Sequence, residues 1–133
     1  MRYLLDTNVF IGAMKGLAPI RQRLQVTPLS DIALSVIVLG ELELGVEKSA
    51  YRDKNAAKLS AILENIEVYP LDAQVSRIYA QIRARLEGKG VTIGANDYWI
   101  AAQALVLDRV LVTDNEAEFS RVPDLRIESW LRG

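Results

Sequence analysis

The 133-residue sequence predicts an α/β domain with a mainly parallel sheet of about four to five strands flanked by helices. Two observations predict this class. Short apolar runs are separated by helix-patterned segments throughout, and the connections between them are short. In such domains helices cover both faces of the sheet, so the strands are apolar along their length. The chain has no repeat, low-complexity tract or linker, which predicts one domain over residues 1–133.

The runs that predict strands are short and stop at polar or turn-forming residues. Tyr3-Leu4-Leu5 is followed by Asp6, and the run that ends at Tyr69 is stopped by Pro70, which has no backbone N–H to donate. The predicted strands cover residues 2–5, 32–34, 66–69 and 110–112, with a last extended piece around Ile127.

Helices are predicted from apolar residues at helical spacing and from capping residues. Ser35 is placed to cap a helix that runs to about Lys48. Gly88 and Gly90 mark the end of a long helix that starts at Asp72. The predicted helices cover residues 7–14, 18–26, 35–48, 52–65, 72–88 and 96–107.

Residue types that carry much of enzyme chemistry are missing, because the chain contains no histidine and no cysteine. This excludes an imidazole base, a Ser-His or Cys-His pair, a thiolate, and a zinc site with the usual nitrogen or sulfur ligands. What remains is oxygen chemistry, in which carboxylates hold a hard cation such as Mg²⁺ or Mn²⁺. Without cysteine there are no disulfides, and we expect a cytoplasmic protein.

The charge balance limits the partners. With 16 basic and 17 acidic residues the net charge is −1, so we do not expect nucleic acid to bind by bulk electrostatics alone. The basic residues within 48–58 and 83–89 are either solvated helix surfaces or patches that follow phosphates. No stretch approaches the roughly 20 apolar residues of a membrane span, and neither a membrane nor a signal peptide is expected.

Two predicted strands end in nearly the same polar cluster. The first is followed by Asp6-Thr7-Asn8, and the strand over residues 110–112 is followed by Thr113-Asp114-Asn115. In open parallel sheets, ligand sites form beyond the carboxyl ends of the strands, where the strand order reverses. If these two strands are neighbours there, Asp6 and Asp114 face the same crevice.

Two further acids lie on helix faces that the periodicity predicts to be buried. Glu41 shares an apolar stripe with Val38 and Leu42. Asp97 lies on a stripe with Ile100 and small alanines, in the first turn of its helix, where the helix dipole favours an acid by roughly 0.3–1 kcal/mol. Both helices are therefore able to line the crevice.

These four acids would repel one another where they meet. Two carboxylates ~5 Å apart at an effective dielectric of ~20 repel by roughly 3 kcal/mol, so a cluster needs protons or a divalent cation. Plainer alternatives exist for single residues, since Asp6 and Asp97 also suit helix capping and Asp114 suits an ordinary turn. Glu41 has no such role, and Glu118 is expected to face solvent.

The motifs occur in a characteristic order. They are Asp6-Thr7-Asn8, Glu41-Leu42-Glu43-Leu44-Gly45, Ile93-Gly94-Ala95-Asn96-Asp97, Ile100-Ala101-Ala102 and Leu111-Val112-Thr113-Asp114, with Glu118-Phe119-Ser120-Arg121-Val122 and Trp130-Leu131 near the end. This order resembles that of PIN-domain ribonucleases, and more narrowly that of the VapC toxins of bacterial toxin–antitoxin pairs. The resemblance covers essentially the whole chain.

The resemblance implies a Mg²⁺- or Mn²⁺-dependent endoribonuclease that cleaves structured RNA such as tRNA. The acids that it implies are catalytic are Asp6, Glu41, Asp97 and, as the fourth, Asp114, with Asn115 and Glu118 as the alternatives for the fourth position. The expected ligands of the cation are Asp6, Asp97 and Asp114. The supporting residues are Thr7, Asn8, Thr113, Asn115 and Glu118. Family members are neutralised by a small antitoxin and commonly dimerise, so we expect a VapB-like partner and a homodimer or a larger assembly with it.

Other functions of an acidic metal pocket depend on single residues. A phosphatase with an aspartate nucleophile usually has a second acid two residues further on, where this chain has Asn8. A phospho-receiver domain needs a lysine late in the chain, and none follows Lys89. A module that binds without catalysis is a third alternative. Cleavage of structured RNA with and without Mg²⁺ separates all of these from a nuclease.

Overall fold

A computed structural model describes residues 2–131, and in this part of the chain five parallel strands form one sheet flanked by helices. The strands are Tyr3–Leu5 (β1), Ile32–Ser35 (β2), Glu67–Tyr69 (β3), Val110–Val112 (β4) and Ile127–Glu128 (β5). They pair in the order β3-β2-β1-β4-β5. The predicted α/β class with a parallel sheet is confirmed.

The central strand, β1, pairs with two strands from distant parts of the chain. Tyr3 is opposite Ile32 of β2 on one side and Val110 of β4 on the other. The strand order reverses between β1 and β4, so the crevice beyond their carboxyl ends is where such sheets bind ligands. The two strands with similar polar ends are therefore neighbours at that crevice.

The helices between the strands begin and end within two residues of the predicted bounds. They are Thr7–Met14 (α1), Ala18–Gln25 (α2), Val36–Glu47 (α3), Arg52–Leu63 (α4), Ala73–Lys89 (α5), Ala95–Leu107 (α6) and Glu116–Phe119 (α7), which was not predicted. A 3₁₀ turn at Leu29–Asp31 precedes β2. No helix in the described residues has the length and apolar character that a membrane crossing requires.

The predicted caps explain where these helices begin and end. Ser35 Oγ accepts a hydrogen bond of 3.1 Å from the backbone N–H of Ile37. Asp72 caps α5 by accepting one of 2.9 Å from Val75. Gly90 ends α5 with a φ of 69°, a left-handed conformation that glycine adopts without steric cost.

The inward face of α6 is made of small residues that allow it to lie close to the sheet. Ala101, Ala102 and Ala104 are completely buried, as is Ile100. Leucine side chains at these positions would hold the helix further from the strands. This close packing positions the first turn of α6, which carries Asp97, beside the crevice.

The edge of the sheet opposite the crevice, where the strands begin, buries a positively charged side chain. Arg109, 4% exposed, directly precedes β4. Its Nη1 donates to the carbonyl oxygens of Tyr3 at 3.3 Å and Asp31 at 3.2 Å, and its Nη2 donates to the hydroxyl of Tyr69 at 3.3 Å. The guanidinium also faces the Tyr69 ring, with its central carbon 5.4 Å from the ring centre. Three hydrogen bonds to carbonyl and hydroxyl oxygens thus hold the guanidinium in place.

Candidate active site

Asp6 lies at the carboxyl end of β1 and is 8% exposed. Its Oδ1 accepts a hydrogen bond of 2.8 Å from the backbone N–H of Thr7, so it caps α1. Its Oδ2 accepts one of 2.8 Å from Thr113 Oγ1, at the end of β4. Burial raises the pKa of Asp6 despite these two hydrogen bonds, and the charges of Asp114 and Glu118 raise it further. Capping and membership of the acid cluster are therefore compatible in this residue.

Glu41 is brought to the same crevice by α3. Thr7 Oγ1 donates a hydrogen bond of 3.0 Å to Glu41 Oε1. The carboxylate is half-buried, as its place on an apolar stripe predicts. Thr7 therefore connects two acids, because its backbone N–H binds Asp6 and its hydroxyl binds Glu41. Asn8, the next residue, is exposed.

Asp97 occupies the first turn of α6 and is half-buried. The N-cap of this helix is Gly94, and the cap has no side-chain hydrogen bond, so Asp97 is not the capping residue. The pKa of Asp97 is raised to about 7, mainly by burial and then by the negative charges of Asp6, Glu118 and Glu41. Asp97 therefore combines partial burial with repulsion from three neighbouring acids.

Glu118, on α7, is held at the cluster rather than solvated, which corrects the expectation that it faces solvent. Its Oε1 accepts a hydrogen bond of 2.6 Å from the backbone N–H of Gly94, and its Oε2 accepts one of 2.6 Å from Asn115 Nδ2. These bonds, led by that of Asn115, lower the pKa of Glu118. The interaction between the two carboxyl groups raises the pKa of Asp97 and lowers that of Glu118.

The fourth acid predicted from the sequence, Asp114, lies at the rim. Its side chain is exposed, and its charge raises the pKa of Asp6 less than burial does but more than the charge of Glu118 does. Its neighbour Thr113 is completely buried and accepts a hydrogen bond of 3.0 Å from the backbone N–H of Asn115. The structure thus brings Glu118 to Asp97 and leaves Asp114 outside the inner group, and the role of Asp114 stays a prediction.

An open cleft gives access to the acids. A cavity of about 360 Å³ is lined by Glu41 and by the start of α6, residues 94–97. A second groove of about 350 Å³ also reaches Glu41 and runs between α1, α3 and α4. Its walls include the apolar side chains of Ile11, Leu42 and Leu59, with Lys58 among the polar ones. A ligand in either depression is able to contact the acid cluster.

The chemistry of this donor set fits a hard divalent cation. Asp6, Glu41, Asp97 and Glu118 offer only oxygen atoms, and the charges of the other three acids add to the effect of burial in raising the pKa of Asp97. Within residues 2–131, no three acidic side chains converge as ready metal ligands. Hydrogen bonds already occupy both oxygens of Asp6 and both of Glu118. The side chains therefore suit a cation chemically but have to rotate to converge on it.

Gly94 and Glu118 contribute to the cluster through a contact that the sequence motifs do not reveal. Gly94 provides a backbone N–H to Glu118, and a Cβ at Gly94 would lie 3.1 Å from Asp97 Oδ2. Glu118 was assigned only a supporting role because α7 is a single turn, too short to show helical periodicity. The spacing of Asn115 and Glu118, three residues apart as in one helical turn, is the signal that identifies the pair.

Comparison with known proteins identifies the class. A family model described as the PIN domain matches residues 3–125, so the chain belongs to the PIN-domain family, a family of nuclease hydrolases. Ribonuclease VapC2 of Rickettsia felis is 39% identical over 132 residues, which cover 98% of each chain. The tRNA(fMet)-specific endonuclease VapC of Salmonella typhimurium is 37% identical over 131 residues, again 98% of each. The resemblance to VapC ribonucleases is confirmed.

Solved structures agree with the relatives in sequence. VapBC2 from Rickettsia felis, bound to a DNA fragment from its promoter, superposes with a TM-score of 0.90 and 38% identity, over 98% of this chain and 99% of that one. DNA-bound VapBC from Salmonella typhimurium superposes with a TM-score of 0.92 and 37% identity, over 98% of each chain. The phosphatase and phospho-receiver alternatives are not favoured by these similarities.

Proposed function

We propose that this protein is a Mg²⁺- or Mn²⁺-dependent endoribonuclease that cleaves structured RNA and acts as the toxin of a toxin–antitoxin pair in the cytoplasm. The observation that carries the proposal is the acid cluster at the reversal of strand order, where burial and then the charges of the neighbouring acids raise the pKa of Asp97 to about 7. PIN-domain ribonucleases generally depend on a divalent metal, and this cluster has the oxygen ligands for one. We assign this activity to one domain over residues 1–133.

Each side chain has a distinct task in this proposal. Asp6, Asp97 and a fourth acid would hold the cation, and Glu41 would orient or bind beside them. We favour Glu118 as the fourth acid because it contacts Asp97, with Asp114 as the alternative at the rim. Thr113 and Thr7 fix the carboxylates of Asp6 and Glu41 through their hydroxyl groups.

A divalent cation held by these acids would supply charge neutralisation at the scissile phosphate and would acidify a water molecule for attack on phosphorus. Because the pKa of Asp97 is raised to about 7, its carboxyl group would give up its proton near neutral pH when such a cation supplies compensating charge. In-line attack with departure of the 3′ oxygen leaves a 5′-phosphate on the downstream fragment. The open cleft beside residues 94–97 admits an RNA backbone to the acids.

Transfer RNA is the substrate class that the relatives favour. The VapC of Salmonella typhimurium is named as specific for tRNA(fMet), and it matches 98% of this chain. A structured RNA also places its phosphates in a fixed geometry, which suits a shallow, open cleft. We therefore propose an initiator tRNA as the first substrate to test.

A VapB-like antitoxin is the proposed partner, because the similar solved structures are VapBC complexes. An arginine from such a partner would pair with the carboxylates in bidentate fashion and displace the cation. The apolar groove between α1, α3 and α4 ends at Glu41, so a segment bound there reaches the cluster. Co-expression with the neighbouring small gene should give a stable complex that contains both chains. This complex should have little ribonuclease activity.

The test of the proposed activity uses the purified protein and transcripts of initiator and elongator tRNA. We expect cleavage with Mg²⁺ or Mn²⁺, poor cleavage with Zn²⁺, none in EDTA, and 5′-phosphate ends on the downstream products. Full cleavage in EDTA would remove the metal mechanism. No cleavage of any structured RNA with either preferred metal would overturn the proposed function.

A further inference from the structure

A guanidinium lies at the rim of the acid cluster. The charge of Arg121, which follows α7, is among the causes that lower the pKa of Glu118. Arg121 Nη1 donates a hydrogen bond of 2.7 Å to the carbonyl oxygen of Thr92. Thr92 is two residues before Gly94, whose N–H binds Glu118 and which lines the cleft. The Arg121 guanidinium is therefore held against the segment that leads into one wall of the cleft.

The other arginines with a described contact are committed elsewhere. Four of them form ion pairs, namely Arg23 with Glu128, Arg52 with Glu47, Arg83 with Glu87 and Arg126 with Asp108. Arg109 is buried on carbonyl oxygens. Arg121 is exposed, and its bond to Thr92 uses only part of the guanidinium fork. The rest of that fork has donors available to a ligand from solvent.

The expected substrate fits this position. The acid cluster and a net charge of −1 both oppose the approach of a polyanion. RNA therefore needs a positively charged side chain beside the cleft as well as a metal ion within it. A guanidinium suits phosphate because its planar fork donates two parallel hydrogen bonds. We propose that Arg121 binds a phosphate of the RNA backbone beside the cleft and thereby positions the strand over the acids. This inference rests on the proposed ribonuclease function.

The experiment compares Arg121→Gln, which can still donate to Thr92, with Arg121→Lys, which keeps the charge. Binding of a labelled initiator tRNA transcript is measured against salt concentration in the Asp97→Asn background, where the RNA stays intact. Loss of one phosphate contact should reduce the slope of log K against log salt by about 0.7–0.9 for the Gln variant. The Lys variant should recover most of that slope. With Asp97 restored, Gln should raise KM several-fold and change kcat little.

Arg126→Gln is the matched control, because Arg126 pairs with Asp108 at the opposite edge of the sheet. It should bind and cleave as the unmodified protein does. The inference is overturned if Arg121→Gln keeps the full salt slope. It is also overturned if the Gln and Lys variants lose affinity equally together with melting temperature, since Arg121 then only ties α7 to Thr92. If the unmodified protein cleaves no RNA, the proposed function fails instead, which the first assay reveals.

Discussion

Charged side chains are buried both at the amino edge of the sheet, where the strands begin, and at the carboxyl edge, where they end. Only at the amino edge do hydrogen bonds from the surrounding protein compensate the buried charge. At the amino edge, Arg109 donates to two carbonyl oxygens and one hydroxyl and lies against the Tyr69 ring. At the carboxyl edge, burial and mutual repulsion raise the pKa values of Asp6 and Asp97. The first edge is complete without a ligand and stabilises the fold. The second is complete only with a proton or a cation, which is the property a catalytic site requires.

The largest effect is expected from Asp97→Asn. This change keeps the shape of the side chain but removes a ligand and a charge. Tenfold to 100-fold losses are typical even for outer-shell partners of a metal, so cleavage should fall by more than about 100-fold. The metal-free variant should melt no lower than the unmodified protein, and relief of ~1 kcal/mol of repulsion would raise its melting temperature by roughly 2–8 °C.

The pH dependence of stability provides a control for that variant. The pKa of Asp97 rises from 3.8 to about 7 on folding, so the folded state binds more protons than the unfolded state between these values. Metal-free stability contributed by Asp97 should therefore be present at low pH and be lost as pH rises toward about 7. Asp97→Asn should flatten this slope in urea titrations. Full cleavage by the variant would mean that the site has to be redrawn around the other acids.

At the amino edge, Arg109→Met should act on stability alone. It leaves the carbonyl oxygens of Tyr3 and Asp31 without their donor, a loss of about 2–4 kcal/mol in the free energy of unfolding. Urea unfolding measures it, and cleavage at a temperature where the variant is folded should be normal. Arg126→Met removes an exposed pair at the same edge and should change stability little. A specific loss of kcat in Arg109→Met would contradict the division between the edges.

The third comparison, Glu118→Gln against Asp114→Asn, identifies the fourth acid. Each variant removes one charge and keeps a similar shape. Because Glu118 contacts Asp97 while Asp114 is exposed, Glu118→Gln should lower cleavage by about 10–100-fold and Asp114→Asn by only a few-fold. Single-turnover rates on the same tRNA measure both. The reverse order of effects would favour the assignment made from the sequence motif.

Helical periodicity in the sequence predicts some of the acids of the site but not others. Asp97 and Glu41 were predictable because each lies on a helix long enough to show an apolar stripe. The meeting of β1 and β4 was suggested by their similar polar ends, although sequence alone did not fix the strand order. Glu118 escaped prediction as an inner acid because α7 is one turn and its partner Gly94 lies 24 residues earlier in the chain. Contacts of that kind depend on tertiary packing and leave no local pattern.

The smallest effect is expected from Gly94→Ala. The φ of Gly94 is −61°, which alanine adopts readily, so the backbone should not be strained. The added Cβ would lie 3.1 Å from Asp97 Oδ2, so the Asp97 carboxyl group has to shift by a few tenths of an ångström, whereas its distance of 3.6 Å from Glu118 Oε1 is an ordinary contact. Cleavage should fall a few-fold with little change in melting temperature. Gly88→Ala, at a helix position with open space, is the control and should leave cleavage unchanged.

The central claim is that the carboxyl edge is completed by a divalent cation bound to the acid cluster. The most direct measurement is the melting temperature at increasing Mg²⁺, above pH 7, for the unmodified protein and for Asp97→Asn. Because a ligand that binds the folded state stabilises it by RT ln(1 + [L]/Kd), Mg²⁺ should raise the midpoint of the unmodified protein clearly more than that of the variant. Equal shifts in the two proteins, or no shift in either, would contradict the account.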